Sequence, residues 1–364
     1  MPPSASLNGV TQSNTAVQLL EQAAADGTVP GGVLLSGSSA TAGTPVPFGR
    51  LTPGGEPVSA ETRYDLASLT KVVATLPSIL QLISAGEVEP DKPLRHWFSN
   101  AGWFQAPSLG DATVRQLLSH SSGLPAWVPL FTRTRDRLLA LGTILQAEVR
   151  PAAGTAVYSD LGFMLLGALV ERVSGQRLDR FAHEHIFGPL GMTATGFRAF
   201  ADDGRPEPAP PGTFAPTEYC GWRNRLLTGE VHDENCCAWE GVAGHAGLFG
   251  TAGDLGRYAQ AWLNLDARLG DPALLKETQE EHARTAGGEP RGLGWLLAHA
   301  NSFSGLPGYG HTGFTGTSLW LDPERDRFTV LLTNRVHPDR HRTPSLTALR
   351  RSVHGALHHL RRPE

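Results

Sequence analysis

A serine and a lysine stand three residues apart at the start of an apolar stretch. The segment YDLASLTKVV places Ser68 and Lys71 one helical turn from each other, so their side chains would share a helix face, with about 5–6 Å between Cβ atoms. A serine hydroxyl attacks a carbonyl carbon when a neighbouring base takes its proton. Burial or nearby positive charge lets a lysine be that base. The spacing predicts a nucleophile–base pair; the alternative is an N-cap serine with a solvated lysine.

A tyrosine and an aspartate form a second candidate group. The segment GTAVYSDLGFMLLGALVERVSG predicts a loop that enters a buried helix, with Tyr158 just before the helix and Asp160 at its start. In the alternative interpretation, Ser159 or Asp160 only caps the helix and Tyr158 is a half-buried aromatic residue. The functional interpretation gives the Tyr158 hydroxyl a place in the proton relay of Ser68 and Lys71.

A glycine-rich segment, GYGHTGFTGTSLWLD, holds the third group. It opens a predicted strand at His311, and the glycines within it, including Gly313, indicate close approach of another backbone or a ligand. A bulged start of a strand is the alternative. In the functional interpretation an edge strand lines the substrate. The backbone N–H groups of Phe314 and of Ser68, at its helix start, would then stabilise an oxyanion.

These groups are positioned by strands and helices at both ends of the chain and a mostly helical stretch between them. Two hairpins are predicted, with strands at 31–37, 46–51, 315–322 and 327–334. The simplest architecture that accounts for these elements is α+β. It has one antiparallel sheet built from residues 14–65 and 245–364, and the terminal helices flank this sheet. A helical region over 66–200 is inserted between its strands. Residues 201–244 are predicted to form an irregular excursion that borders a cleft.

The terminal helices are predicted from their caps and apolar spacing. The first is expected over 14–25, and the last from Thr343-Pro344, a plausible N-cap followed by proline. The last helix has an apolar stripe formed by Leu346, Leu349, Val353, Leu357 and Leu360. Its arginines are expected to form a solvated face off that stripe: Arg350, Arg351, Arg361 and Arg362.

Composition excludes some classes of function. Of the 364 residues 18% are charged, and the net charge of -4 gives no sign of a nucleic-acid partner. No stretch reaches about 18 consecutive apolar residues, so no membrane partner is expected. The N-terminal segment lacks a basic region followed by an apolar one, which favours a cytoplasmic location, although a trimmed secreted chain would look the same.

The segment from 217 to 249 contains six residues of metal-binding types. They are Cys220, His232, Asp233, Cys236, Cys237 and His245. Their spacing matches no standard zinc site, and three clustered cysteines are too few for a disulfide framework. We therefore expect no metal here. The segment either borders the cleft or forms a surface loop with a buried cysteine pair.

Three ordered motifs carry a resemblance to a known family. Ser68-x-x-Lys71, Tyr158-x-Asp160 and His311-Thr312-Gly313 resemble those of the serine β-lactamase and penicillin-binding protein superfamily, in its class C-like branch with esterases and D-amino-acid peptidases. Supporting stretches are LLSHSSGLP (117–125), FGPLGMTATGF (187–197) and AGLFGTAGDLGRYAQ (246–260). The resemblance covers roughly residues 15 to 355. It implies a β-lactamase/transpeptidase-like fold and an acyl-enzyme on Ser68, with Lys71 and Tyr158 in the proton relay, and no cofactor.

Two residues depart from the family pattern. Asp160 stands where the family usually has asparagine, and it would hold Lys71 more firmly protonated. His311 stands where the family usually has lysine, and an imidazole becomes charged only as the pH falls through about 6.5. A fixed charge for a substrate carboxylate is therefore expected to be missing.

The sequence predicts a serine hydrolase acting through Ser68 on small esters, amides or D-amino-acid peptides. A true class C-like β-lactamase or DD-peptidase is the first alternative, and a catalytically idle binding protein of the same fold is the second. The expected partner is a small molecule or a short peptide. The oligomeric state is left open.

Overall fold

The chain alternates helices and short strands throughout. The computed structural model describes residues 7–98, 109–149, 155–201, 204–300, 302–341 and 345–358. Its helices are α1 (Leu7–Ala25), α2 (Leu76–Ser84), α3 (Arg95–Phe98), α4 (Val114–Leu118), α5 (Arg137–Leu145), α6 (Asp160–Ser174), α7 (Leu178–Ala182), α8 (Glu234–Ala238), α9 (Ala252–Leu263), α10 (Pro272–Glu277) and α11 (Thr347–His358). Its strands are β1 (Gly31–Gly37), β2 (Val46–Gly49), β3 (Tyr64–Asp65), β4 (Thr155–Ala156), β5 (Gly196–Phe197), β6 (Tyr219–Cys220), β7 (Arg225–Leu226), β8 (Leu248–Gly250), β9 (Ala283–Thr285), β10 (Pro290–Arg291), β11 (Leu296–Leu297), β12 (Tyr309–Thr312), β13 (Ser318–Asp322) and β14 (Arg327–Thr333).

One sheet joins the two ends of the chain. Among the described residues it has nine strands, in the order β2-β1-β14-β13-β12-β11-β10-β9-β4. The early strand β1 lies antiparallel beside the late strand β14, with Val33 opposite Leu332. The prediction of an α+β fold with an antiparallel sheet built from both termini is confirmed. The parallel pairing of β4 with β9 was not indicated by the sequence.

The sheet has a helical layer on each face. Helices α1 and α11 pack together, and Leu20, Leu34, Leu331 and Val353 are buried in the cluster between them and the sheet. Helix α9 packs against β1, β13 and β14. Because neighbouring residues of a strand face opposite sides, Leu332 belongs to the main core on the other face.

The helix that follows Ser68 is buried in the middle of the molecule. It starts at Leu69, passes through a π-helical turn at Lys71–Thr75 and continues as α2. In the π turn the N–H of Leu76 donates to the carbonyl of Lys71. Such turns occur frequently at functional sites. Helix α6 packs against this segment and against α4, α5 and α7, so the helical region surrounds Lys71.

Several boundaries differ from the predicted ones. Helix α1 begins at Leu7, earlier than predicted, and α11 begins at Thr347; the predicted start at Thr343-Pro344 lies outside the described residues, as do Leu360, Arg361 and Arg362. The excursion contains the hairpin of β6 and β7 and helix α8. None of the described helices is long and apolar enough to cross a membrane.

The expectation of a solvated arginine face on α11 is wrong for Arg350. Arg350 is 7% exposed. Its Nη2 donates to the carbonyl of Thr317 at 2.9 Å, and its guanidinium carbon lies 5.8 Å from the ring centre of Phe303. The segments before and after β12 cover this side of the helix. Arg351, the next residue, is exposed as expected.

The contact between α6 and the segment before β8 gives a stability prediction. A Cβ atom on Gly244 would stand 2.0 Å from the carbonyl oxygen of Phe163, inside α6. We expect Gly244→Ala to reduce the free energy of unfolding by about 3 kcal/mol, because backbone must move to make room. Gly253→Ala is the control, since the nearest atom there is at 3.9 Å. Equal urea midpoints for the two variants would contradict this packing.

Candidate active site

Ser68 follows a strained turn that a buried carboxylate holds in place. Ala67 has a φ of 46°, a conformation that side-chain-bearing residues rarely adopt. Its N–H donates to Asp65 Oδ1 at 2.8 Å, and the N–H of His232 donates to Asp65 Oδ2 at 2.6 Å. Burial raises the pKa of Asp65. Asp65, which the sequence analysis missed, thus joins the turn of Ser68 to the segment 217–249.

Lys71 is completely buried among polar groups. Its Nζ donates to Ser68 Oγ at 3.0 Å and to the His245 carbonyl at 3.2 Å, and it lies 2.6 Å from Asp160 Oδ1. Burial alone would lower the pKa of Lys71, but Asp160 and the Tyr158 hydroxyl outweigh burial and raise it. Lys71 is therefore an ammonium group at neutral pH, paired with a carboxylate.

Tyr158 stands between the lysine and the wall of the site. The Lys71 Nζ atom lies 4.9 Å from its ring centre, and its hydroxyl interacts with Lys71 and Ser68. Burial raises the pKa of Tyr158, and Lys71 offsets only part of that effect. The ring of His120 lies 4.6 Å from the Tyr158 ring, and His120 Nδ1 accepts a hydrogen bond from the N–H of Ser159 at 3.0 Å. Tyr158 is thus a neutral phenol with a fixed orientation.

The third motif, His311-Thr312-Gly313, packs against the turn that precedes Ser68. A Cβ atom on Gly313 would stand 2.5 Å from the carbonyl oxygen of Leu66, so only glycine allows this approach. The close backbone contact predicted for this glycine is therefore present. Strand β12 pairs with β11 only at Tyr309 and Gly310, which leaves the following residues on a local edge that faces the pocket. Phe314, in the turn after β12, is 49% exposed.

His311 is buried and neutral. Its Nδ1 lies 2.8 Å from the Thr312 carbonyl, which assigns the N–H to that atom, and its ring is 5.7 Å from the Tyr158 ring. Burial, together with the charges of Lys71 and Arg291, lowers the pKa of His311 to about 3. The expectation that His311 becomes charged as the pH falls through about 6.5 is therefore wrong.

Three arginines that the sequence analysis did not connect with the site lie in the same pocket. The pocket has a volume of about 580 Å³, and Ser68, His311, Arg291, Arg335 and Arg350 are among its lining residues. The expected lack of fixed positive charge is thus also wrong. Arg291 and Arg350 are each nearly buried, and the Nε atom of each has no hydrogen-bond partner in the described part of the chain.

Four of the six candidate metal ligands of segment 217–249 are engaged by other groups of the protein. His245 Nε2 lies 2.9 Å from Asp233 Oδ1, and Cys236 Sγ donates to the Ala246 carbonyl at 3.1 Å. Burial would raise the pKa of Asp233, but His245 and the N–H of Cys236 hold it below its usual range. His232 lies 3.3 Å from a carboxylate oxygen of Glu218. These contacts order the segment beside Lys71.

Comparisons with known proteins agree with this geometry. Residues 18–352 match the family model described as Beta-lactamase. The chain is 34% identical over 319 residues to a putative D-alanyl-D-alanine carboxypeptidase of Escherichia coli (strain K12), covering 78% of this chain and 71% of the relative. It is 30% identical over 315 residues to an N-acetylmuramyl-L-alanine amidase of Bacillus subtilis (strain 168), covering 77% and 69%. A solved class C beta-lactamase, 20% identical, superimposes with a TM-score of 0.76 over 100% of both chains.

Fold and relatives together define a serine hydrolase with a β-lactamase/transpeptidase-like architecture. The chain belongs to the Beta-lactamase family, as its resemblance implied.

The neutrality of His311 gives a prediction on pH. Since the pKa of His311 is about 3, it carries no charge between pH 8 and pH 6 and becomes cationic only as the pH falls towards 3. The ratio of kcat/KM for a carboxylate-bearing ester to that for a neutral ester should therefore stay within about twofold over this range. This ratio is obtained from initial rates of both esters measured at half-unit pH steps. A rise in the ratio with a midpoint between pH 6 and 7 would show that His311 titrates there.

Proposed function

We propose that this chain is a serine amidase that cleaves the amide bond to an amino acid whose free carboxylate binds among Arg291, Arg335 and Arg350. The observation that carries the proposal is the placing of Ser68 and these three guanidinium groups in one pocket. A guanidinium binds a carboxylate through two parallel N–H donors, which fixes both the position and the direction of the ligand.

The electrostatics of the arginines favour an anionic ligand. Burial, and then the neighbouring charge of Arg335, lowers the pKa of Arg350 to about 10. Both groups stay charged at pH 7, so they repel each other. A carboxylate would remove that repulsion and would supply the acceptors that the unpartnered Nε atoms of Arg291 and Arg350 lack.

The names of the relatives support the same class of bond. One is named for a bond between two D-alanine residues and the other for the amide of a muramyl group with L-alanine. Both names give alanine on the amine side of the bond. We therefore propose an alanine-type leaving group for this chain, and for the acyl group either a peptide or a muramyl sugar acid.

The chemistry assigned to the site residues is acyl transfer in two steps. Ser68 Oγ attacks the amide carbon, and its proton passes to the Lys71–Asp160 pair, with the Tyr158 hydroxyl beside the path. The N–H groups of Ser68 and Phe314 stabilise the oxyanion. The C–N bond breaks as the pair returns the proton to the leaving nitrogen. Water then attacks the ester on Ser68, with the same groups in the reverse roles.

A second candidate function is the hydrolysis of small neutral esters. The neutral imidazole of His311 favours it, because nothing at that position requires an anionic substrate. An ester with a good leaving group also needs no proton donated to it. We expect such esters to be hydrolysed, but with no dependence on the arginines.

The nucleophile is tested by labelling. A fluorophosphonate should add to the wild-type chain once, at Ser68, because Lys71 and Tyr158 both contact that hydroxyl. Ser68→Ala should lose the label and lower amidase and esterase rates by about 10³-fold or more. Intact-mass spectrometry and peptide mapping measure the adduct. Labelling of another residue, or persistence of both activities in Ser68→Ala, would refute the assignment.

The carboxylate site is tested by removing one guanidinium group. Arg350→Met should lower kcat/KM for D-alanyl-D-alanine or muramyl-L-alanine substrates by about 10- to 100-fold, because a charged hydrogen-bond partner is lost. Hydrolysis of p-nitrophenyl acetate should change by less than about threefold.

The matched control is Arg351→Met, which removes the neighbouring guanidinium group from the exposed side of α11. Thermal unfolding of all three proteins separates a loss of binding from a loss of fold. Equal losses on the charged and the neutral substrate would count against a carboxylate site at Arg350.

A further inference from the structure

Two buried threonine hydroxyls join the loop after β12 to the turn that precedes Ser68. Thr315 Oγ1 donates to the carbonyl of Asp65 at 2.7 Å, and Thr317 Oγ1 donates to the carbonyl of Leu66 at 3.1 Å. Both threonines are buried. In the part of the chain that the structure describes, these are the hydrogen bonds that connect residues 65–68 with residues 311–317. The two hydroxyls therefore hold the loop against the turn.

Each of the two linked segments carries one of the N–H groups assigned to the oxyanion. Ser68 follows Leu66 by two residues, and Phe314 directly precedes Thr315. No described residue accepts a hydrogen bond from the N–H of Ser68 or of Phe314, so both remain free to donate to a substrate. Such donors stabilise an oxyanion at distances of about 2.7–3.1 Å. The spacing of the two segments must therefore be held within a narrow range.

Other hydrogen bonds fix the backbone within each segment. On the side of the nucleophile, Asp65 Oδ1 accepts from the N–H of Ala67 at 2.8 Å. On the side of the loop, the N–H of Gly313 donates to the Thr317 carbonyl at 2.8 Å. Because each segment is ordered by its own contacts, the threonine hydroxyls act mainly on the distance between the segments.

Buried hydroxyls of this kind can also serve stability alone. Most buried carbonyl groups have a hydrogen-bond partner, and a threonine often supplies it. Here the two hydroxyls bond to consecutive carbonyls, those of Asp65 and Leu66, directly before the nucleophile. A purely stabilising pair would affect folding and leave the rates of the folded enzyme unchanged, whereas a pair that spaces the donors would affect the rates.

We propose that Thr315 and Thr317 are positioning residues of the oxyanion hole. Their hydroxyl groups set the separation between the N–H of Ser68 and the N–H of Phe314, so that both N–H groups reach one oxygen atom. This inference rests on the proposed function, in which these two N–H groups stabilise the oxyanion. It adds that the two threonines act on the transition state through those N–H groups, without touching the substrate.

Two esters that differ in one atom test this role. p-Nitrophenyl acetate places an oxygen anion in the hole, whereas its thiono counterpart, with C=S in place of C=O, places a sulfur anion there, and sulfur is a weak acceptor. Thr315→Val and Thr317→Val should each lower kcat/KM for the oxygen ester about tenfold, because a misplaced donor loses part of the roughly 10²- to 10³-fold that a whole donor contributes. The thiono ester should change less than about twofold.

Two controls accompany these variants. Thr317→Ser keeps the hydroxyl and should keep the wild-type ratio of the two rates. Thr278→Val removes another buried hydroxyl, which donates to the Leu275 carbonyl at 2.7 Å and does not line the pocket, and should leave the ratio unchanged. The ratio does not depend on how much of the protein is folded, and alanine replaces valine where a valine variant gives no soluble protein. An unchanged ratio, or equal losses on both esters, would overturn the role of the threonine replaced.

The ester measurement also separates this inference from the proposed function. A ratio that falls in the valine variants, together with no hydrolysis of D-alanyl-D-alanine or muramyl-L-alanine substrates by the wild type, would refute the amidase assignment and retain the role of the threonines. Hydrolysis of those amides, together with an unchanged ratio in both valine variants, would refute the role of the threonines alone.

Discussion

A fully buried ammonium group is the constraint on which the rest of the structure depends. An unpaired charge in a protein interior costs several kcal/mol, so Lys71 requires partners wherever the chain can supply them. They are the hydroxyls of Ser68 and Tyr158, the carboxylate of Asp160 at the start of α6, and the carbonyl of His245 before β8. Because Asp160 and His245 lie far from Lys71 along the chain, one charge fixes how α6 and the segment before β8 meet the helix that follows Ser68.

The same charge contributes to the neutrality of the two histidines of the site. Burial is the main cause of the low pKa of His120 and of His311, and Lys71 and Arg291 add to it in both cases. Another cation beside Lys71 would have no carboxylate to pair with, since Asp160 is already engaged. The pocket of Ser68 carries further positive charge on Arg335 and Arg350.

Local patterns predicted much of this molecule, and contacts between distant segments explain what they missed. The spacing of Ser68 and Lys71, and the strands β1 and β14, follow from short periodic stretches of sequence. Asp65 was missed because its partner His232 lies 167 residues away. Arg350 was misassigned because helical periodicity identifies the apolar stripe but does not show which chain segments cover the neighbouring face. The pKa of His311 depends on burial, which no motif records.

Aspartate in place of asparagine at position 160 gives the site a capacity that suits an amide. The Lys71–Asp160 pair is neutral overall, so it can take the proton of Ser68 and become cationic while the carbonyl oxygen becomes anionic. Opposite charges then develop close together in a site of low dielectric constant, where their attraction is strong. An amine leaves only when it is protonated, whereas an activated ester leaves without help. A pair that stores the proton beside Ser68 therefore helps an amide more than an ester, which is why we place amide hydrolysis ahead of ester hydrolysis in this chain.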